Sequence, residues 1–174
     1  MQRALGQASP TVHPDALVSE LTYLVGDVTI DAEASLWAFV CLRGDFEPVT
    51  VGERTNMQYF TMLHGAKIGS GVTIGHNVVV DEATVGDHTL IGISSSVLPS
   101  ASVGSECIVA AGALVREHQE IPDGHMAYAV PAETQLLTDQ NREDISCYCD
   151  TYLEMVDRYR TEGLPRVNHG GIEE

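Results

Sequence analysis

The chain has 174 residues, 44% of them hydrophobic, and its 25 acidic residues against nine basic ones give a formal net charge of −16. That length and apolar content suffice for one domain with its own core, while the excess of carboxylates makes nucleic acid and anionic membranes poor partners. Eight of the nine basic residues are arginine and one, Lys67, is lysine, a balance that suits a carboxylate-rich surface kept soluble in high salt.

The N-terminal stretch MQRALGQASP has no apolar signal-like run, and the longest apolar runs, such as LWAFVCL at 36–42, fall far short of the roughly 20 residues a membrane span needs. The expectation is a cytoplasmic protein folding as a single domain over 1–174. Cys41, Cys107, Cys147 and Cys149 form neither a zinc-type CxxC nor a dense disulfide framework. They read as reduced structural thiols.

From Val25 onward an aliphatic residue returns almost every six positions: Val25, Ile30, Leu36 and Leu42, then Val51, Met57 and Leu63, then Ile68, Ile74 and Val80, then Val85, Ile91, Val97, Val103, Val109 and Val115. Glycine follows the aliphatic at several of these positions, including Gly52, Gly69, Gly75, Gly86, Gly92 and Gly104. Neither a helix, with period 3.6, nor a two-faced strand, with period 2, produces this spacing. Short strands joined by tight turns do, with three six-residue units making one triangular coil and successive coils stacking as parallel strands. The spacing predicts an all-β solenoid over about 11–118.

The pattern changes after PAETQ. Ile145, Tyr148, Tyr152, Val156 and Tyr159 fall on one helical stripe, and Gly163 and Pro165 end it. An amphipathic helix over about 139–162, packed along the solenoid, is expected. The closing RVNHGGIEE reads as a polar, frayed end.

Coil register turns these spacings into geometry. Leu42, Leu63, Val80 and Val97 occupy one side of four successive coils, so the residues after them, Arg43, His64, Asp81 and Leu98, form one outward column. His64 and Asp81 are therefore neighbours one coil apart. His76 follows Ile74 by two and lies on a different side of the prism, from which it reaches His64 and Asp81 only across a contact with a second chain. A threefold trimer of parallel prisms would make three such sites; the spacing permits this without requiring it. His13, His88, His118, His125 and His169 have no matching constellation.

The segments GDVTIDAEASLWAFVCLRGD, VGERTNMQYFTMLHG, IGHNVVVD and AYAVPAE make the chain resemble the γ-class carbonic anhydrases and their hexapeptide-repeat relatives, from about Thr11 to Ala132. The resemblance implies a left-handed parallel β-helix with a C-terminal helix, assembled as a homotrimer that holds zinc, or another divalent transition metal, at its interfaces and interconverts carbon dioxide and bicarbonate. It implies that Arg43 and Asp45 pair at the trimer interface and that Asn56 and Gln58 lie at the catalytic centre, with Gln58 near metal-bound solvent. His64 takes the place of the first zinc histidine and His76 that of the second, given by the adjacent subunit.

The chain also departs from that pattern. Asp81 stands where the third zinc histidine is expected, Tyr59 where an aspartate is usual, and Phe46 where one branch has a glutamate suited to moving protons. The long acidic loop between the first two histidines is absent. Two histidines and one carboxylate are a sound ligand set for zinc, yet an outward carboxylate on an acidic solenoid needs no metal. A non-catalytic trimeric scaffold or interaction protein is the alternative reading. A hexapeptide acyltransferase using coenzyme A is a third, for which one lysine and a charge of −16 offer little to hold the cofactor's phosphates.

Overall fold

A computed structural model describes residues 1–163 and, at backbone level, 167–168 and 171–172. Three faces of short parallel strands wind into a triangular solenoid of about seven coils, the left-handed β-helix that the resemblance implies. The first face stacks 2–3, 23–26, 41–44, 62–64, 79–81, 96–97 and 114–115, and the second stacks 11–12, 28–30, 49–51, 67–68, 84–85, 102–103 and 120–121. The third stacks 17–18, 35–36, 56–57, 73–74, 90–91, 108–109 and 126–127. Tyr23–Ile30 and Cys41–Val51 are long enough to turn a corner and serve both the first and second faces.

The six-residue aliphatics fill the prism. Leu36, Leu42, Met57, Leu63, Ile74, Val80, Ile91 and Val97 are all fully buried, each stacking on its counterpart one coil away. One position differs from the sequence reading: the buried residue below Leu42 is Leu24, not Val25. Val25 pairs with Arg43 and faces outward, and the true step from Leu24 to Ile30 is the regular six.

Most corners are turned by a residue in the left-handed region. One corner column is Phe39, Phe60, Asn77, Ser94 and Gly112, and a second runs through Gly65, Glu82, Ser100 and His118. A bulky side chain at positive φ is uncommon. Phe39 and Phe60 nevertheless sit there, stacked with their rings 5.1 Å apart and an interplanar angle of 6°.

The C-terminal helix, Asp139–Glu162, starts at Thr138, whose hydroxyl accepts from Asn141 N–H while the Asn141 side chain accepts from Thr138 N–H. Gly163 ends it in a positive-φ conformation, its N–H donating to Tyr159 O. The helix runs back down the third face, from the Arg142–Glu106 ion pair in an upper coil to Arg160 on Asp15 O at the base. Twenty-four residues at about 1.5 Å each reach about 36 Å, enough to cover seven strands stacked about 4.8 Å apart. Its buried stripe is Ile145, Cys149 and Val156, flanked by Tyr152 and Tyr159, which pack edge-on against Trp37. Tyr148, expected on that stripe, lies at its exposed margin, and Cys149 takes the inward position. Beyond the helix, Val167–Asn168 pairs antiparallel with Gly171–Ile172; Pro165, His169 and the other tail positions lie outside the described residues. Among the described residues no helix is long and apolar enough to cross a membrane.

Candidate metal centre

Strand register builds the site on the first face. Arg43 pairs with His64, and His64 with Asp81, in three consecutive coils, so the three side chains leave the face in one column. Below them, Gly44 lets the strand pass close to the coil beneath. A Cβ there would stand 2.0 Å from Asp27 O, so only glycine fits between Arg43 and Asp45.

The side chains interlock. Arg43 donates to Asp45 Oδ2 from Nε at 3.1 Å and from a terminal nitrogen at 2.8 Å. That hydrogen bond, with the guanidinium charge, holds the Asp45 carboxyl below the usual carboxylate range. Asp45 Oδ1 is 3.0 Å from His64 Nε2, and Asp81 Oδ1 is 2.8 Å from His64 Nδ1. The imidazole is thus gripped on both sides and its side chain is 14% exposed.

Glu82 joins this group. The ligand atoms of His64, Asp81 and Glu82 all lie within 4.8 Å of one another. Glu82 turns the corner in the left-handed region, with φ of 43°, which keeps it beside the residue it follows. The sequence reading missed it because strand alternation sends consecutive residues to opposite faces; the corner suspends that alternation. The donor set, one imidazole nitrogen and two carboxylates, suits a divalent cation of the zinc type, and the nearby guanidinium of Arg43 is already paired with Asp45. The residues present therefore fit a metal.

His76 is not part of the cluster within the chain. It follows Ile74 on the third face and packs against Tyr59 of the coil below, ring centres 5.7 Å apart and planes tilted by 42°. Tyr59, at the position where an aspartate is usual, belongs to an aromatic group with Trp37 that ties this corner to the C-terminal helix. Burial and the neighbouring Tyr159 push its phenol pKa up. Asn56 lies buried on the third face, donating to Thr73 Oγ1 at 2.8 Å, with no partner for its own Oδ1 among the described residues. Gln58, 6% exposed, lines a cavity of about 250 Å³ with Thr73, Gly75, Ile93 and Tyr148. Phe46, in contrast, stands 80% exposed beside the site, its ring 6.2 Å from that of His64.

Stacked six-residue units, corners in the left-handed region and a covering helix define the class: a hexapeptide-repeat β-solenoid. Residues 83–116 match the family described as the hexapeptide repeat of succinyl-transferase. The chain is 35% identical over 172 residues to "Gamma carbonic anhydrase 1, mitochondrial" of Arabidopsis thaliana, covering 92% of this chain and 62% of the plant protein. It therefore spans about three fifths of that relative's length. Among solved structures, a hexapeptide transferase family protein from Anaplasma phagocytophilum superposes with a TM-score of 0.88 at 28% identity, covering 91% of this chain and 97% of that one. A putative acetyltransferase from Bacillus cereus gives 0.89 at 28%, covering 92% and 96%. The chain is thus similar in sequence to γ-class carbonic anhydrases and in fold to hexapeptide-repeat proteins.

Proposed function

We propose that the chain assembles as a homotrimer, holds a divalent metal, zinc first among the candidates, and interconverts carbon dioxide and bicarbonate. The observation that carries this reading is the contact of His64 with Asp81, an imidazole and a carboxylate one coil apart at 2.8 Å on an outward face. His76, on a different face, completes a set of three when a second chain brings it alongside.

Exposed apolar surface supports the assembly. The corner beside His76 carries Phe39 and Phe60, 51% and 60% exposed, and Phe46 and Tyr23 are exposed on the side of His64. Exposed aromatic side chains at both edges of the first face, on an otherwise acidic chain, are what an interface between copies requires. The acidic surface around it fits association in high salt, where carboxylate repulsion is screened.

A metal at this centre would supply Lewis acidity, lowering the pKa of water at an open position to about 7. The chain's own residues do the rest. His64 and Asp81 hold the cation, Arg43 fixes Asp45, and Gln58 orients substrate or product through its carboxamide in the assembled interface. Asn56 supports that strand from beneath by its bond to Thr73. Phe46 makes one wall of the approach to His64 apolar, suited to a small nonpolar gas.

A second reading is favoured by one observation. Asp45 and Asp81 face both ring nitrogens of His64, so the cluster is a complete hydrogen-bonded network without a metal. On that reading the chain is a trimeric scaffold. The two separate on Asp81→His, which supplies a third imidazole: the metal reading expects higher zinc affinity and faster carbon dioxide hydration, the scaffold reading no hydration above background.

A further inference from the structure

We infer that the cavity where the end of the C-terminal helix meets the lowest coils of the third face takes a small quaternary ammonium compound, held against Trp37, Tyr59 and Tyr159 with Glu20 as its counter-charge. The inference uses none of the residues read as metal ligands and stands apart from the metal reading.

Strand register builds the cavity. Val18 pairs with Leu36 in the next coil, and Leu36 with Met57 in the one after. The residues two places further on, Glu20, Ala38 and Tyr59, therefore stand above one another on the way to the corner. Ala38 puts only a methyl group between the other two. The space of about 470 Å³ left there is also lined by Trp37 and by Tyr159 of the helix, while Glu20 and Leu21, both exposed, line it from the lowest coil. That volume falls in the range of small-ligand sites.

The lining selects the charge of the occupant. Trp37 is 3% exposed, and its ring lies 6.2 Å from that of Tyr59 and 4.9 Å from that of Tyr159, at interplanar angles of 29° and 89°. Three aromatic rings at differing angles surround one space, and ring faces attract cations through their quadrupole. The Trp37 ring is also fixed: its N–H has no hydrogen-bond partner among the described residues, and Tyr152 and Tyr159 pack it edge-on. No lysine, arginine or histidine lines the cavity, and Glu20, its one carboxylate, makes no ion pair among the described residues. An anion would meet that carboxylate and a chain of net charge −16, whereas a cation is drawn by both.

The aliphatic walls then select the kind of cation. Leu17, Leu21 and Leu36 offer nothing to accept hydrogen bonds from a primary ammonium, which is strongly hydrated and carries three donors. A quaternary ammonium group has no N–H to leave unpaired, and its methyl groups suit the same walls.

Trp37 is the chain's one tryptophan, so its fluorescence reports on this cavity directly. The full chain is titrated with choline at constant ionic strength, and with the neutral alcohol in which carbon replaces the choline nitrogen. Choline is expected to change Trp37 emission saturably, with matching calorimetric heat, and the neutral alcohol to bind about tenfold more weakly. Glu20→Gln is expected to weaken choline about threefold and to leave the alcohol unchanged; Tyr59→Leu, which removes one ring, should weaken choline as well. No saturable emission change and no heat with choline overturns the inference. So does a neutral alcohol that binds as tightly as choline, which makes the cavity an apolar site without charge selection. Choline affinity unchanged in both variants places the binding elsewhere and overturns it too. The comparison of the two ligands is made on the unsubstituted chain and decides even if a variant fails to fold. Choline binding by protein that takes up no metal supports this inference while contradicting the metal reading, and a metal-loaded chain that ignores choline does the reverse.

Discussion

His64 and Asp81 meet at 2.8 Å although seventeen residues separate them, because one turn of the solenoid returns the chain to the same face. The contact belongs to the register, and any change of coil length between them would break it. Substitutions that leave the coil intact therefore read the chemistry of the pair.

His64→Ala, His76→Ala and Asp81→Ala are each expected to lose metal while keeping the far-ultraviolet spectrum and melting behaviour of the parent, since all three side chains leave the prism outward. If Asp81→Ala keeps full occupancy, Asp81 is not a ligand, and Glu82 becomes the carboxylate to test. Asp81→His should bind zinc more tightly than the parent.

Sharing of the site between chains has its own readout. Mixing His64→Ala with His76→Ala, followed by dissociation and reassembly, creates interfaces in which one chain gives His64 and its neighbour His76. Metal binding lost in both parents is expected to return in part. No recovery in reassembled mixtures contradicts a shared site.

Phe60→Glu is expected to release chains from the assembly, because it puts a carboxylate into the apolar edge beside Phe39. Light scattering checks this at micromolar concentration. Under the high-salt reading the parent should also loosen when molar salt is diluted to millimolar, as carboxylates lose their screening; equal mass in both conditions speaks against that.

Gly44→Ala is expected to destabilise the fold by several kcal/mol, since its Cβ would stand 2.0 Å from a backbone oxygen that no rotamer can move. Thermal melting measures it. A melting temperature within a degree or two of the parent would show that the coils part there more easily than their stacking implies.

Alkaline pH is expected to weaken the fold. Burial pushes the Cys107 and Cys149 thiols up, so the folded chain holds those protons beyond the unfolded value of about 8.5. Stability from a raised pKa is complete below the unfolded value and is lost as pH rises through the folded one. The urea midpoint should therefore decline from about pH 8.5 upward. In the native protein the exposed Cys147 should react with a thiol reagent while Cys107 stays unlabelled; equal labelling contradicts the burial.

Much of this architecture is legible in the sequence because a fully buried aliphatic returns at the strand position of each six-residue unit, as at Leu63, Ile74, Val80, Ile91 and Val97. That regularity yields the column that begins Arg43, His64 and Asp81, which strand pairing reproduces, and the displacement of His76, which follows Ile74 on another face. What the spacing misses lies at the ends and corners. Val25 displaces Leu24 in the reading because both are aliphatic and the strand continues into a bulge between Gly26 and Val28. Glu82 and the stacked Phe39 and Phe60 depend on left-handed corners that no periodicity marks. The reach of Asp45 to His64 Nε2 depends on how the backbone at Gly44 passes over Asp27, a relation between coils that neither residue signals by itself.

Metal content tests the central claim most directly. Protein purified without chelators or a metal-binding tag, then analysed by elemental mass spectrometry, is expected to hold about one divalent transition metal per chain, falling to background in His64→Ala. Metal at background in the unsubstituted chain, with no uptake on adding zinc to the folded assembly, would contradict a metal centre at His64 and Asp81 and leave the hydrogen-bonded network as a structural feature of a scaffold.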